Sequence, residues 1–230
     1  MLELACGPGG VGLAARLVGP TGQVVVSDVA AEMTAIAAAR AAALGLTNVH
    51  PLTLDLDDLD QPDQSYDMVL CREGLQFALD PARAVAEIRR VLRPGGRMAL
   101  AVWRPRARNP WLAVVLDTVT AQLGTAVPPP GVPGPFALDD PDRLGRLLTG
   151  AGLADVVVDQ VPVPLHDDSF DAWLTRTTAL AGPLAKRLAG LPDPARQALL
   201  ARLQEAVRPY HTPTGLHFPG LSLVATGRRT

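Results

Sequence analysis

The first hundred residues alternate between short apolar runs and longer segments rich in alanine and leucine. The apolar runs have the length of strands and lie at residues 1–6, 23–27, 49–54, 66–71 and 97–103. The longer segments have a helical pattern and lie at residues 10–17, 30–44 and 81–92. Because the strand-length runs are apolar on both faces, the alternation predicts a parallel sheet with helices on both sides.

The rhythm changes after residue 103. A proline-rich stretch, 104–136, surrounds one apolar helix that we predict at 111–123. The later pattern predicts a helix at 139–151, a strand at 155–162, a helical stretch at 170–207 broken at 182–183 and 191–192, and a last strand at 217–226. We predict a single domain, residues 1–230, with helical inserts at 104–136 and 167–212 as candidates for a substrate cover.

Composition narrows the class of protein. With 230 residues, of which 48% are hydrophobic, the chain is long enough for one sizeable core. Its net charge of −2 argues against broad binding to nucleic acid or anionic membranes, and no apolar run has transmembrane length. The two cysteines give no disulfide framework, which favours a cytoplasmic location. The four histidines share no metal-ligand spacing, so we predict no metal site.

The candidate chemistry begins at a glycine-rich loop after the first strand. Glu3 ends that strand, and Gly7, Gly9 and Gly12 match the spacing G-x-G-x-x-G. Glycines let a ligand approach the main chain, and the following helix presents its N-terminal amide groups to the loop. Asp28 ends the second strand, where a carboxylate accepts hydrogen bonds from ribose hydroxyls. The stretch predicts a nucleotide-binding βαβ unit, and the glycine motif alone fits nicotinamide and flavin enzymes equally well.

Three further features favour a different nucleotide. A dinucleotide site has no need of the acid at Glu3, which can bond an amino group or a bridging water. Asp55 closes the third strand, where a carboxylate and the next backbone N–H can bind the edge of an adenine. A tight turn at residues 93–96 leads into the fifth strand. With these motifs, and with Ser65-Tyr66-Asp67, the chain resembles the class I S-adenosylmethionine-dependent methyltransferases.

The resemblance is to the branch that includes the ubiquinone/menaquinone-biosynthesis methyltransferases. It covers residues 1 to about 103 and, more weakly, residues 218–227. It implies an α/β fold with a Rossmann-like seven-stranded methyltransferase sheet, in the order 3-2-1-4-5-7-6 with an antiparallel last strand. It also implies S-adenosylmethionine as the cofactor and a small-molecule acceptor.

The same resemblance assigns roles to individual residues. Around the methionine part it places Glu3, Ala5, Cys6, Gly7 and Gly9. It places Asp28 and Val29 at the ribose, Met33 against the adenine, Asp55 and Leu56 at the adenine edge, and Cys71 and Arg72 beside the sulfonium. Substrate-side candidates are Glu73, Gln76 and Trp103. Ala5 stands where many members of the family have glycine, which is a mild departure.

Each of these residues also has a purely structural interpretation. Asp28 can be a helix N-cap, and Asp55 one more solvated acid in an acidic loop. Cys6 and Cys71 fit small buried hydrophobic residues better than nucleophiles. Residues 72–76 can be a solvated turn. The tryptophans, Trp103 included, can fill a core instead of walling a substrate pocket.

We therefore predict methyl transfer from S-adenosylmethionine to a small and hydrophobic acceptor. Such a transfer needs proximity, alignment and exclusion of water, and we identify no catalytic base. The alternatives are a nicotinamide-dependent oxidoreductase and a non-catalytic cofactor-binding partner subunit; the oligomeric state stays open. Only six residues precede Gly7, whereas related enzymes carry a helical segment there. We therefore expect the chain to be a truncated reading of a longer gene.

Overall fold

The computed structural model describes residues 1–8, 11–180, 188 and 190–230. Seven strands form one sheet in the order β3-β2-β1-β4-β5-β10-β6. These strands are β1 (Leu2–Leu4), β2 (Val24–Asp28), β3 (Val49–Thr53), β4 (Tyr66–Arg72), β5 (Leu92–Trp103), β6 (Leu153–Pro162) and β10 (Leu221–Arg229). The first five are parallel, and β10 is antiparallel to its neighbours. The predicted fold class and strand order are confirmed.

Helices follow the strands in the predicted rhythm. Within the described residues they are α1 (Val11–Leu17), α2 (Ala31–Ala43), α3 (Pro81–Val91), α4 (Pro110–Leu123), α5 (Pro141–Gly150), α6 (Phe170–Leu180) and α7 (Asp193–Ala206). Asp80 shows why α3 begins where it does, because its carboxylate accepts from the N–H groups of Ala82 and Arg83 and a proline follows. Asp140 caps α5 similarly, since its carboxylate accepts from the N–H of Arg143 and a proline follows.

The chain divides into two compact units. The first comprises Met1–Trp103, Pro133–Gln160 and Leu223–Thr230, and the second Arg104–Val132 and Val161–Ser222. The second unit is drawn from nearly the same two stretches that we predicted as inserts. That these stretches cover the substrate stays a prediction.

The core of the first unit consists of two apolar clusters. One joins β1, β4 and β5 to the buried faces of α3 and α5. The other joins β2 to the alanine-rich faces of α1 and α2. Leu2 and Leu4 of β1 are 0% and 1% exposed, which explains the continuous apolar runs in the sequence. This packing holds the carboxyl ends of β1, β2 and β4 at one edge of the sheet.

The prediction of one last strand over residues 217–226 is wrong. The chain forms two strands there, β9 (Gly215–Phe218) and β10, separated by Pro219 and Gly220. Gly220 lies against another backbone segment, because a Cβ atom at this position would be 2.1 Å from the carbonyl oxygen of Val163. The Val163 N–H donates to the Gly220 carbonyl at 2.8 Å. A proline without an N–H and this close approach end one strand and start the next.

The insert predicted at 167–212 is not purely helical. It contains α6 and α7, but two short strands, β7 (Leu165–Asp167) and β8 (His211–Thr212), lie at its ends. They flank β9 in a three-stranded sheet of the second unit. The predicted break at 191–192 is confirmed, since α7 begins after Pro192. The predicted break at 182–183 lies outside the described residues.

Two tryptophans fill the core of the second unit. Trp111 and Trp173 are 2% and 0% exposed, and the indole N–H of Trp173 donates to the Trp111 carbonyl at 2.8 Å. Trp173 also stacks on Phe218. For these two residues the core interpretation is confirmed. No helix in the described part of the chain has the length and apolar character needed to cross a membrane.

Candidate functional site

Strand register aligns three charged side chains at the carboxyl edge of the sheet. Glu3 of β1 pairs with Val26 of β2 and with Leu70 of β4. Residues paired across parallel strands share one face of the sheet, and so do residues two positions apart on a strand. Asp28 and Arg72 each lie two residues beyond a partner of Glu3. The three side chains therefore share one face around the start of the glycine loop.

The glycine loop is pinned to β2 by its backbone. The Cys6 N–H donates to the Ser27 carbonyl at 2.8 Å, and the Gly7 N–H donates to the Asp28 carboxylate at 3.0 Å. Gly7 has φ +54°, which glycine adopts without strain. Ala5 has φ +50° as a non-glycine residue, so the alanine there costs about 1–2 kcal/mol and is less mild than expected. Gly9 lies outside the described residues.

Asp28 holds the glycine loop in place through hydrogen bonds within the protein. One carboxylate oxygen accepts from Gly7 and the other from the N–H of Ala30, each at 3.0 Å. The capping interpretation is therefore right in part, although α2 itself begins at Ala31 without a side-chain cap. An ionised carboxylate has about four acceptor positions, so two remain for ribose hydroxyls. The predicted neighbour Val29 is 68% exposed beside it.

Glu3 is the most unusual acid of the first unit. Its side chain is buried, with 6% of the residue exposed, and Oε2 has no hydrogen-bond partner among the described residues. Burial raises the pKa of its carboxyl above the ordinary value, and the nearby positive charge of Arg72 lowers it in part. A buried carboxylate oxygen without a donor fits an ammonium group supplied by a ligand. The Glu3 site therefore fits the ammonium group of a cofactor that carries an amino acid.

The residues predicted to bind the adenine lie on α2, which follows β2, and in the loop after β3. Met33 is half-buried on α2, and Leu56 is half-buried against the main apolar cluster. Asp55 is exposed, and its carboxylate accepts from the N–H of Asp57 at 2.9 Å. Sequence reasoning missed Asp57, whose carboxylate accepts from the Leu79 N–H at 2.9 Å and ties two site loops together. An acid followed two residues later by a second acid is only a weak signal of a turn, and no stronger signal in the sequence marks Asp57.

Both cysteines near the site are buried thiols. Desolvation raises the pKa of Cys6 and of Cys71 to about 12, with smaller contributions from neighbouring acids. Neither thiol ionises near neutral pH, so they act as small hydrophobic residues, in line with the structural interpretation. In the described part of the chain no group of three or more histidine, cysteine, aspartate or glutamate residues can hold a metal ion.

The loop after β4 touches the glycine loop. A Cβ atom on Gly74 would be 2.3 Å from the Cβ of Ala5, so only glycine fits there. Glu73 precedes it with φ +57° and donates its N–H to the Ala101 carbonyl at 2.9 Å. A non-glycine residue held in this conformation marks a backbone that its surroundings determine strongly. The predicted substrate-side loop is therefore built against the predicted cofactor loop.

Gln76 has a structural partner that the sequence did not reveal. It is 1% exposed, and its side-chain oxygen accepts from the backbone N–H of Trp103 at 3.3 Å. Trp103 itself is half-buried at the end of β5. Gln76 therefore holds the end of β5 in place, and a direct contact of Gln76 or Trp103 with substrate stays a prediction.

Comparison with known proteins identifies this arrangement. A family described as "Methyltransferase domain" matches residues 1–96. The ubiquinone/menaquinone biosynthesis C-methyltransferase UbiE of Cupriavidus taiwanensis is 30% identical over 166 residues, which cover 68% of this chain and 68% of that protein. The chain belongs to the class I S-adenosylmethionine-dependent methyltransferases and resembles the UbiE branch. The predictions of family and of S-adenosylmethionine as cofactor are confirmed.

The share of each related protein that this chain matches differs from one relative to another. For five other curated relatives the match covers only 28% to 41% of their length. Among solved structures, the YcgJ protein of Bacillus subtilis has a TM-score of 0.63 at 19% identity and covers 99% of this chain and 90% of its own. The [4+2]-cyclase SpnF has a TM-score of 0.56 at 25% identity and covers 99% of this chain and 74% of its own. The whole fold is thus shared with both.

Proposed function

We propose that this protein transfers a methyl group from S-adenosylmethionine to a small, hydrophobic acceptor. The observation that carries the proposal is the position of Glu3 and Asp28 on one face of the sheet at the glycine loop, with the buried Oε2 of Glu3 lacking a hydrogen-bond donor among the described residues. The ammonium group and the ribose hydroxyls of this cofactor need acceptors of these two kinds. A nicotinamide dinucleotide has no ammonium group for Glu3.

The chain's own residues divide the work of binding. Glu3 accepts from the ammonium group, Asp28 accepts from the ribose hydroxyls, and Asp55 with the Leu56 N–H binds the adenine edge. Ala5, Cys6, Gly7 and Gly9 provide the backbone around the methionine part, Val29 and Met33 flank the nucleoside, and Cys71 and Arg72 lie beside the sulfonium. When bound, the cofactor supplies an electrophilic methyl group on a sulfonium. The protein's contribution is alignment and exclusion of water, so no residue is named as a base.

The acceptor class and the cellular setting belong to the same proposal. The inserts at 104–136 and 167–212 are apolar and proline-rich, which suits a hydrophobic small molecule better than a nucleic acid. Both cysteines are free and buried, which fits a reducing cytoplasm. We propose Glu73, Gln76 and Trp103 as the substrate-side residues, with Gln76 acting through its hold on Trp103.

One alternative activity has an observation in its favour. SpnF shares the fold over almost the whole of this chain, and its name describes a cyclisation. A protein of this fold that binds the cofactor without transferring its methyl group is therefore a second candidate. It shares the cofactor site with the first and differs only in the consumption of the methyl donor.

Two measurements test the proposal. Calorimetry with S-adenosylhomocysteine is expected to give a dissociation constant in the micromolar range, about 7–9 kcal/mol, whereas NAD gives no heat. Incubation with methyl-labelled S-adenosylmethionine and a panel of quinols, phenols and amines is expected to transfer the label to one class. Cofactor binding without label transfer to any class would favour the second candidate, which does not consume the methyl donor. Binding of NAD alone would contradict the proposed function.

A further inference from the structure

Burial gives the Glu3 carboxylate an electrostatic problem. An ionised carboxylate that is 6% exposed loses most of its hydration, and Oε2 has no hydrogen-bond donor among the described residues. Asp28 at the end of β2 and Glu73 after β4 flank this edge of the sheet, and neither can supply a positive charge. The thiols of Cys6 and Cys71 stay uncharged near neutral pH. An acid in these surroundings needs a positive charge to stay ionised.

Sheet register places one such charge on the same face. Leu70 pairs with Glu3, and Arg72 lies two residues further along β4, so both side chains leave the same side of the sheet. Parallel strands lie about 4.8 Å apart and two residues advance about 6.6 Å, a diagonal that a long arginine side chain spans. The positive charge of Arg72 acts on Glu3, lowering the pKa of its carboxyl.

Arg72 offsets part of the effect of burial on Glu3 without occupying its acceptor. The Arg72 side chain is exposed, and within the described part of the chain no hydrogen bond links it to Glu3. The other well-placed arginine of this unit behaves differently, because Arg90 donates directly to both oxygens of Glu87. A through-space counter-ion leaves Oε2 open to a donor from outside, whereas a direct bond closes it.

We propose that Arg72 is the internal counter-ion of Glu3 in the ligand-free protein and yields that carboxylate to the cofactor's ammonium group. The inference rests on the proposed function, because it names what the cofactor's positive charge displaces. It also predicts the direction in which Arg72 changes the affinity for the cofactor. Because the arginine competes with the cofactor for Glu3, it lowers that affinity. An arginine that instead contacted the cofactor's own carboxylate would have the opposite effect on affinity.

Calorimetry on a set of variants tests whether Arg72 lowers the affinity for the cofactor. Arg72→Gln is expected to bind S-adenosylmethionine about threefold to tenfold more tightly than the wild type, the size of a partly screened charge interaction. S-adenosylhomocysteine is expected to gain by a similar factor, because it carries the same ammonium group. Arg97→Gln is the matched control, because Arg97 is an exposed arginine that pairs with Met68 nearer the other end of the same sheet. Weaker binding of both ligands by Arg72→Gln, or the same gain in Arg97→Gln, overturns the proposal.

A double-mutant cycle isolates the pair. In the background of Glu3→Gln, the change Arg72→Gln is expected to leave the affinity unchanged, because the group that Arg72 neutralises is gone. An undiminished gain in that background would overturn the proposal.

A cofactor-free readout separates this inference from the proposed function. Carboxyl-detected NMR titration of the ligand-free protein is expected to show a higher pKa for Glu3 in Arg72→Gln than in the wild type. An unchanged Glu3 pKa overturns the counter-ion role even if the cofactor binds. A raised pKa in a protein that binds neither ligand would support the pair and contradict the proposed function instead.

Discussion

Two glutamates of the same unit, Glu3 and Glu87, differ in how the fold satisfies their carboxylates. Glu87 on α3 accepts from Arg90 with both oxygens at 2.8 Å and from the Leu59 N–H at 3.0 Å. Hydrogen bonding from Arg90 lowers the pKa of the Glu87 carboxyl, and burial opposes it. Glu3 has an oxygen without any donor among the described residues, and burial raises its pKa.

The difference teaches where to look for function. The guanidinium of Arg90 also donates to the carbonyls of Gln61 and Leu59, at 2.8 and 2.7 Å, so it fixes the acidic loop to α3. Every donor there has a partner inside the fold, and the arrangement stabilises the folded state. The ionised form of Glu3 is destabilised by burial, which fits the external donor that we propose for it. The predictions below test this contrast.

The largest effect is expected from Arg90→Met. The change removes the donors that hold Glu87 and the two loop carbonyls, and leaves a partly buried carboxylate unpaired. We expect a loss of about 2–3 kcal/mol in the free energy of unfolding and a fall in melting temperature of roughly 5–10 °C. Arg83→Met is the control, since Arg83 forms an exposed ion pair with Asp58 at 3.6 Å and has only a small through-space effect on Glu87, so the change should alter stability little. Equal losses in both variants would mean that the Arg90 network is not structural.

Asp28→Ala is expected to weaken binding of S-adenosylhomocysteine by about 1.5–3 kcal/mol, or more than tenfold. The change removes the ribose acceptor and also the partner of the Gly7 N–H. Asp28→Asn keeps one acceptor oxygen and should lie between alanine and wild type. Calorimetry on the three proteins measures the series. If Asp28→Ala binds as tightly as the wild type, Asp28 has only a structural role.

Glu3→Gln separates stability from binding. Because the folded-state pKa of Glu3 is raised, its stabilising contribution is present at low pH and is lost as pH rises through that pKa. At neutral pH the ionised carboxylate therefore costs stability, so glutamine should raise the melting temperature by about 1–4 °C. The same change should weaken cofactor binding about tenfold, or 1.4 kcal/mol. A lower melting temperature with unchanged affinity would mean that Glu3, like Glu87, stabilises the fold and does not bind the cofactor.

The smallest effect is expected in the pH dependence of Glu87. Its folded-state pKa is lowered, so its stabilising contribution is present above the unfolded pKa and is lost as pH falls through the folded one. Urea unfolding at stepwise pH from 7 to 3 should therefore show Glu87→Gln less stable than wild type at pH 7, by less than about 1 kcal/mol. The gap should close in acid. A gap that is constant with pH would mean that the glutamate contributes packing and not charge.

The fold could be predicted from the sequence where a pattern is long enough to repeat. Alternation of apolar runs and helical segments predicted the parallel sheet, and α4 at Pro110–Leu123 followed from one apolar stretch. Strands of two to four residues, such as β8 and β9, are too short for a periodic signal. The split at Gly220 depends on a backbone approach from Val163, which is distant in sequence and invisible in a local pattern.

The candidate site could be predicted in its residues but not in its electrostatics. The positions of Glu3 and Asp28 followed from the spacing around the glycine loop. The sequence could not show that Oε2 of Glu3 lacks a donor within the described part of the chain, or that Asp28 already holds the loop, because both facts depend on burial and register. Gln76 was predicted as a substrate-side residue or as part of a solvated turn, and its burial and its bond to the Trp103 N–H follow only from the tertiary packing.

The most direct test of the account is a crystal structure of this chain with S-adenosylhomocysteine bound. We predict that the amino nitrogen of the ligand lies about 2.7–3.2 Å from Oε2 of Glu3, with the ribose hydroxyls on Asp28. The guanidinium of Arg72 should be turned away from Glu3 in that complex. A ligand whose amino group lies beyond hydrogen-bonding distance of Glu3, with Oε2 still without a donor, would contradict the central claim that this buried carboxylate is reserved for the cofactor.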